Sequence, residues 1–213
     1  MRKLTLLDSL LTEVDHALQT VCPPKVRECA RPSPAKIIPN PTLSSSERKH
    51  VAGLMRVNHA GEVCASALYR GQAKTAKLEK IRAQMNEAAI EEIDHLAWCE
   101  ERLQELSDKP SLLNPFWYAG SWLIGAFAGL VGDKWSLGFV AETEHQVTSH
   151  LEAHLKRLPQ QDDRTKAVLE QMKIDEMAHA DKALEAGGAT LPTLIQYAMC
   201  AISKVLTKSS YHL

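Results

Sequence analysis

Two short motifs in this chain could hold a metal. Glu92-Ile93-Asp94-His95 and Glu176-Met177-Ala178-His179 each place a carboxylate three residues ahead of an imidazole. On a helix, residues three apart share a face, so each Glu and His can serve one centre. Carboxylate with imidazole suits iron or manganese. A single such motif is weak, because Glu and His are common on solvated helix faces. Here each is preceded by a further Glu at similar remove: Glu62 lies 30 residues before Glu92, and Glu144 lies 32 before Glu176. The chain therefore reads as an approximate repeat, a helix with an inward Glu followed by a helix with Glu-x-x-His. Two Glu plus two Glu-x-x-His is the ligand pattern of ferritin-like di-iron and di-manganese four-helix bundles.

Helical neighbours select among the carboxylates. Glu144 shares its face with Leu137, Val140, Ala141, Val147 and Leu151, an apolar stripe that points inward. Glu142 lies on a more polar face with His145, Gln146 and Ser149. Glu92 neighbours Ala88, Ala89, Leu96 and Cys99, whereas Glu91 neighbours Glu87, Asp94 and Trp98. Glu176 shares its face with Met172, Ala180 and Ala183, and Glu62 with Met55, His59, Ala65, Ser66 and Tyr69. Four buried carboxylates are very costly without cations, and two divalent ions carry the matching charge. The predicted roles are Glu62 and Glu144 as terminal carboxylates, Glu92 and Glu176 as bridges, and His95 and His179 as one nitrogen ligand each. The second imidazole nitrogens need acceptors, for which Asp94 and Asp175 are candidates beside the plainer reading of surface acids. His150, six residues after Glu144, stays open between a site neighbour and an ordinary His. His59 and Tyr69 have the same status, with core packing the alternative for Tyr69. Cysteines and methionines are assigned to packing.

The elements that must position these residues are helices. Ala, Leu, Glu and Lys abound while β-branched and aromatic residues are sparse, which favours an all-α fold. A short amphipathic helix is expected over roughly 4–20, from Leu4, Leu7, Leu11, Val14 and Leu18. Six prolines between 22 and 43 make an extended strap, so 1–43 reads as helix plus strap and 44–213 as the bundle. Ser44 with Glu47 forms a capping box. Bundle helices are expected over roughly 46–76, 80–107, 133–157 and 162–186, the last stopped at Gly187-Gly188, with an amphipathic C-terminal helix over roughly 191–207. The five cysteines are odd in number and lack CxxC spacing, which argues against a disulfide framework or a zinc site. A net charge of −1 gives no electrostatic case for nucleic acid. No nucleotide-binding glycine motif is visible, so no bound flavin or NAD is predicted. The first twenty residues lack the apolar core of a secretory signal.

The segment 111–132 carries no charge until Asp133, and it holds Phe116, Trp117, Tyr118, Trp122 and a small-xxx-small pair, Gly125 and Gly129. It is long enough to span a bilayer. Spanning would put Glu62, Glu92 and His95 on one side and the other three ligands on the opposite side. One long crossover along the bundle or on the membrane surface avoids that conflict. Its aromatics suit an interfacial zone. Burial by a dimer partner is the alternative.

At this point the residues resemble a known family. Arg56-Val57-Asn58-His59-Ala60-Gly61-Glu62, Glu91-Glu92-Ile93-Asp94-His95-Leu96, Val140-Ala141-Glu142-Thr143-Glu144 and Asp175-Glu176-Met177-Ala178-His179-Ala180 are similar to the demethoxyubiquinone hydroxylases of ubiquinone biosynthesis. The Asn58–Glu62 element is the most specific, and the resemblance covers roughly 46–187. It implies a non-haem di-iron monooxygenase acting on a membrane polyprenyl quinol, with O₂ as co-substrate. The family's ligands fall on the same six residues, with Glu92 and Glu176 bridging two iron ions. An external reductant such as NADH is implied, and other ubiquinone-biosynthesis proteins or a homo-oligomer are candidate partners. Animal members often carry His-Tyr where this chain has His150-Leu151. The expected location is peripheral, on the cytoplasmic face of a bacterial cell membrane. Without the resemblance, the same ligands would also serve iron storage, a rubrerythrin-like peroxidase or a manganese catalase.

Overall fold

The computed structural model describes residues 5–22 and 24–213; Leu4 of the expected first helix lies outside them. The described residues form α1 (Leu6–Val21), α2 (Ser45–Thr75), α3 (Glu79–Glu105), α4 (Asn114–Val131), α5 (Asp133–Leu155), α6 (Asp163–Glu185) and α7 (Thr193–His212), and no strand. This is an all-helical fold consistent with a ferritin-like bundle. The Ser44–Glu47 capping box is formed, and α1 has its own, Thr5 with Asp8. Backbone amides of Lys77 and Leu78, between α2 and α3, donate to the Asp133 carboxylate. Gly187 closes α6 with φ +99°, a left-handed conformation that a side chain would strain.

α2 pairs with α3 and α5 with α6 through short connections, and α4 is the crossover between the pairs. The core has a small cluster of Val63, Ala67, Leu96 and Tyr118 and two larger apolar layers. One holds Val51, Met55, Trp98, Leu103, Leu151 and Met172, and the other Tyr69, Ile81, Met85, Leu137, Val140 and Ala183. On each of α2, α3, α5 and α6 the proposed ligands fall between the two layers.

α4 lies against α2 with almost no space between backbones. A Cβ at Gly71 would come within 2.2 Å of Trp122 O, and one at Gly125 within 2.2 Å of Leu68 O. The Gly125/Gly129 pair thus serves contact with α2. The same packing corrects the expected orientation of the aromatics. Tyr118 is buried, Trp117 and Trp122 are half-buried, and Trp122 Nε1 donates to Glu13. Residues 118, 122, 125 and 129 recur at helical spacing on the α2 side. Of the four expected aromatics Phe116 does face outward, together with Leu123, Phe127 and Leu130. α7 exposes Leu194, Tyr197, Ile202 and Val205, and α1 exposes Leu7, Leu10, Leu11, Val14 and Leu18. α1 turns its polar side inward because His16 meets Arg70, and Glu13 meets Lys74 and Trp122. Among the described residues, no helix is long and apolar enough to cross a membrane.

The strap is extended, as its prolines predict, and it is fastened to α3 and α6. Arg27 forms a bidentate pair with Glu100, and Ala30 N donates to Asp94. Arg102 and Arg164 reach Asn40 and the Ile38 carbonyl. Ala35 and Leu43 enter the apolar layer around Trp98.

Candidate metal centre

Six side chains from four helices converge between the apolar layers. Glu62, Glu92, His95 and Glu176 offer ligand atoms within 4.8 Å of one another, and so do Glu144, Glu176 and His179. All six are buried. Glu142 is half-buried and accepts from Gln146, away from the cluster.

Both imidazoles turn Nδ1 toward the carboxylates and Nε2 away. His95 Nδ1 lies 3.1 Å from Glu92 Oε2 and 3.0 Å from Glu176 Oε1. His179 Nδ1 lies 3.5 Å from Glu92 Oε1 and 3.1 Å from Glu176 Oε2. Each of these two carboxylates therefore presents one oxygen to each histidine. Glu62 Oε2 is 3.3 Å from His95 Nδ1. Glu144 Oε1 accepts from the Tyr69 hydroxyl.

The outward nitrogens are held crosswise. His95 Nε2 on α3 lies 2.9 Å from Asp175 Oδ2 on α6, and His179 Nε2 on α6 lies 2.5 Å from Glu91 Oε2 on α3. Asp175 is a prediction of the sequence. Asp94 is not the second acceptor: its carboxylate takes Ala30 N and Arg31. Glu91, set aside for its polar neighbours, is the acceptor. Both motifs in fact read acid-Glu-x-x-His, a signal that could have found Glu91 beside Asp175. A carboxylate acceptor fixes the proton on Nε2 and leaves the Nδ1 lone pair free for a metal.

The donor set fits a pair of divalent transition ions. Glu92 Oε1, Glu144 Oε2 and Glu176 Oε1 are buried without a hydrogen-bond partner among the described residues. Unpaired carboxylate oxygens in a core are costly, and cations would satisfy them. Without cations the cluster balances its charge with protons. Burial pushes the Glu62 and Glu144 carboxyls well above the usual range. Burial also opposes the charge on Glu176, but His95 and His179 hold its carboxyl low. Burial works against the imidazolium of His179 too, yet Glu176 and Glu92 raise its pKa to about 9.

A family model described as ubiquinone biosynthesis protein COQ7 matches residues 49–210. The chain belongs to this family. It is 59% identical over 213 residues to a 3-demethoxyubiquinol 3-hydroxylase of Legionella pneumophila, covering all of both chains. Hydroxylases of the same description from Acinetobacter baylyi and Alcanivorax borkumensis are 56% and 55% identical, the first over the whole of both chains and the second over 100% of this chain and 99% of its relative. The likeness to COQ7 proteins thus reaches beyond 46–187, into the strap and α7.

The remaining candidates of this COQ7 chain separate clearly. His59 lies in a buried polar network, with Nε2 3.2 Å from Glu100 and Nδ1 3.1 Å from Asn114. Tyr69 is buried against the cluster through Glu144, so it is more than packing. His150 stacks edge-on against His154, and its Nε2 is buried without a hydrogen-bond partner among the described residues. His150 also lines an apolar cavity of about 160 Å³ that reaches Glu62, between α2, α4, α5 and α7.

The raised pKa of His179 contributes to the pH dependence of loading, beside the raised Glu62 and Glu144 carboxyls. At neutral pH its imidazole carries a proton that a metal must displace. Affinity for Fe(II) is expected to rise with pH toward about 9, by about tenfold per pH unit for each proton displaced. Anaerobic competition against a chelator between pH 6 and pH 8 measures this, after correction for the chelator's own protons. A flat profile would contradict the assignment of His179.

Proposed function

We propose that the protein is a di-iron monooxygenase that hydroxylates the ring of a polyprenyl demethoxybenzoquinol in ubiquinone biosynthesis. The observation that carries this reading is a cluster of four carboxylates and two Nδ1 atoms whose Glu62 edge opens on an apolar cavity. Membership of the COQ7 family and the printed activity of its relatives supply the substrate class. Glu62 and Glu144 would be terminal ligands, Glu92 and Glu176 bridges, and His95 and His179 the nitrogen ligands. The straddling of both histidines by Glu92 and Glu176 supports the bridging roles. Iron would supply the activation of O₂, with electrons from the quinol or an external reductant such as NADH.

The chain's own residues do the rest. Val57, Ala65, Leu68, Ile124 and Phe139 make the cavity wall apolar and exclude water from the ring. The cavity suits a substituted ring rather than a whole polyprenyl chain. The tail would run outward past Met199, Ile202 and Leu206 of α7. Burial lowers the pKa of His150, so its imidazole is neutral and Nε2 can hold or take a proton from a ring hydroxyl. Iron-loaded protein given O₂, reductant and the demethoxyquinol should form the hydroxylated quinol with about two irons per chain. Iron accumulating well beyond that without turnover would sink this reading and favour storage.

A peripheral position on the cytoplasmic face of the membrane suits the substrate. Phe116, Leu123 and Phe127 form an outward apolar face beside the exposed residues of α7. Serine at these positions should cut liposome binding by roughly tenfold or more for each one, since burying such a side chain is worth about 1.5–3 kcal/mol. Serine at half-buried Trp117 or Trp122 should affect binding less. Flotation with phospholipid vesicles reads the difference.

A further inference from the structure

We infer that Arg31, carried by the N-terminal strap, is a positioning residue for one half of the metal centre. This inference rests on the di-iron reading above. Arg31 Nε donates to Asp94 Oδ2 on α3 at 2.8 Å, and its Nη1 donates to Asp175 Oδ2 on α6 at 2.8 Å. The same Asp175 oxygen lies 2.9 Å from His95 Nε2, while Asp175 Oδ1 accepts from Gln171. A single guanidinium thus ties the two motif helices together at the acid that orients His95. A planar fork suits that geometry, whereas an ammonium is a point charge.

The strap is itself held in register at this point. Trp98 Nε1 donates to the Arg31 carbonyl, and the guanidinium lies 4.9 Å from the centroid of the Trp98 ring. That ring is 5.2 Å from the His95 ring. Ala30 N closes the clamp on Asp94 at 2.7 Å. The two acids are largely buried, Asp94 at 7% and Asp175 at 15% exposed, while the Arg31 side chain that joins them from outside is 43% exposed.

Among the described residues the other half shows no such clamp. The Glu91 side chain, which orients His179, is 36% exposed, and its Lys182 neighbour stands 3.8 Å off with 57% of its side chain exposed. The two imidazoles are therefore held differently. An ion on His95 and Glu62 would have an outer acid, Asp175, that the strap holds in place. An ion on His179 and Glu144 would have a more exposed one, Glu91.

The test uses full-length chains loaded anaerobically with isotopically enriched Fe(II). Iron retained under chelator challenge and the Mössbauer spectrum of the di-ferrous protein are the readouts. Arg31→Gln should weaken retention of one iron by up to about tenfold, the low end of the range for loss of an outer partner because Asp175 itself remains, and alter one of two spectral components. Arg31→Lys should restore part of it. Glu91→Gln should alter the other component. Arg27→Gln loosens the strap at Glu100 without touching Asp175, and it should keep both irons. Far-UV circular dichroism of each apoprotein shows that the helices are intact; if Arg31→Gln fails to fold, the comparison of Arg31→Lys with Arg27→Gln decides. The inference is overturned if Arg31→Gln leaves both components unchanged, or if Arg27→Gln loses iron equally, which would reduce the strap to a general stabiliser. A wild-type chain that takes up no pair of irons overturns the di-iron reading itself.

Discussion

Glu176→Ala is expected to abolish quinol hydroxylation and to strip the chain of most of its iron. Glu176 is the residue common to both groups of ligand atoms, and its two oxygens face the two histidines. Removing it would take a donor from both of the sites proposed to hold an ion. It also leaves the imidazoles of His95 and His179 without the carboxylate that balances them. Loss of a mere outer partner costs 10–100-fold, so activity should fall by more than about 100-fold. Metal analysis and extraction of quinones from a complemented deletion strain measure both effects, with the demethoxyquinone accumulating. Glu142→Ala is the matched control. Its carboxylate is only half-buried and engages Gln146, so iron and activity should stay near wild type. Equal damage from both substitutions would refute the choice of Glu176.

Gly125→Ala should unfold the protein at a distinctly lower temperature and slow turnover with it. The new methyl group would collide with the Leu68 carbonyl, which is backbone and cannot swing aside. Relief requires α4 to move away from α2. Overpacking of this kind costs about 1–3 kcal/mol, and in a chain of this size each kcal/mol lowers Tm by about 2–4 °C. Gly71→Ala meets Trp122 O from the other helix and should behave alike. Gly61→Ala has open space and a helical backbone, so it should leave Tm unchanged or slightly higher. The activity loss follows because α4 carries Ser121 and Ile124 of the cavity wall. A differential scanning measurement on the three variants checks the order.

The buried cluster of carboxylates and imidazoles was legible because its signal is local. A Glu and a His three apart, on a face of Ala, Leu and Val, need nothing beyond helical geometry to be paired. The choice of Glu144 over Glu142 follows the same way, and Glu144 is buried while Glu142 is half-buried. Glu91 escaped because its polar neighbours on α3 say nothing about the His179 it faces on α6. The docking of the strap on α3 and α6 escaped for a different reason. Extended, proline-rich chain has no periodicity, and Arg31 meets partners 63 and 144 residues away. The crossover was recognised by its lack of charge, but Tyr118 and Trp122 were misassigned to the interface, whereas Phe116 does face outward. The helical spacing of Tyr118 and Trp122 with Gly125 and Gly129 places those two toward α2 instead.

The crosswise pairing of Asp175 with His95 and of Glu91 with His179 has a consequence for how the two halves are related. Each helix pair lends an acid to the other's imidazole, which is the reciprocity of an isologous contact across a two-fold axis. Such an arrangement is what two identical helical hairpins would form on dimerising around a shared ion pair. A fused, duplicated hairpin would inherit it, and would be free to diverge on either side. Neither hairpin alone holds a complete coordination set with its orienting acid. Separate chains carrying α2–α3 and α5–α6 would therefore have to meet before either could mature.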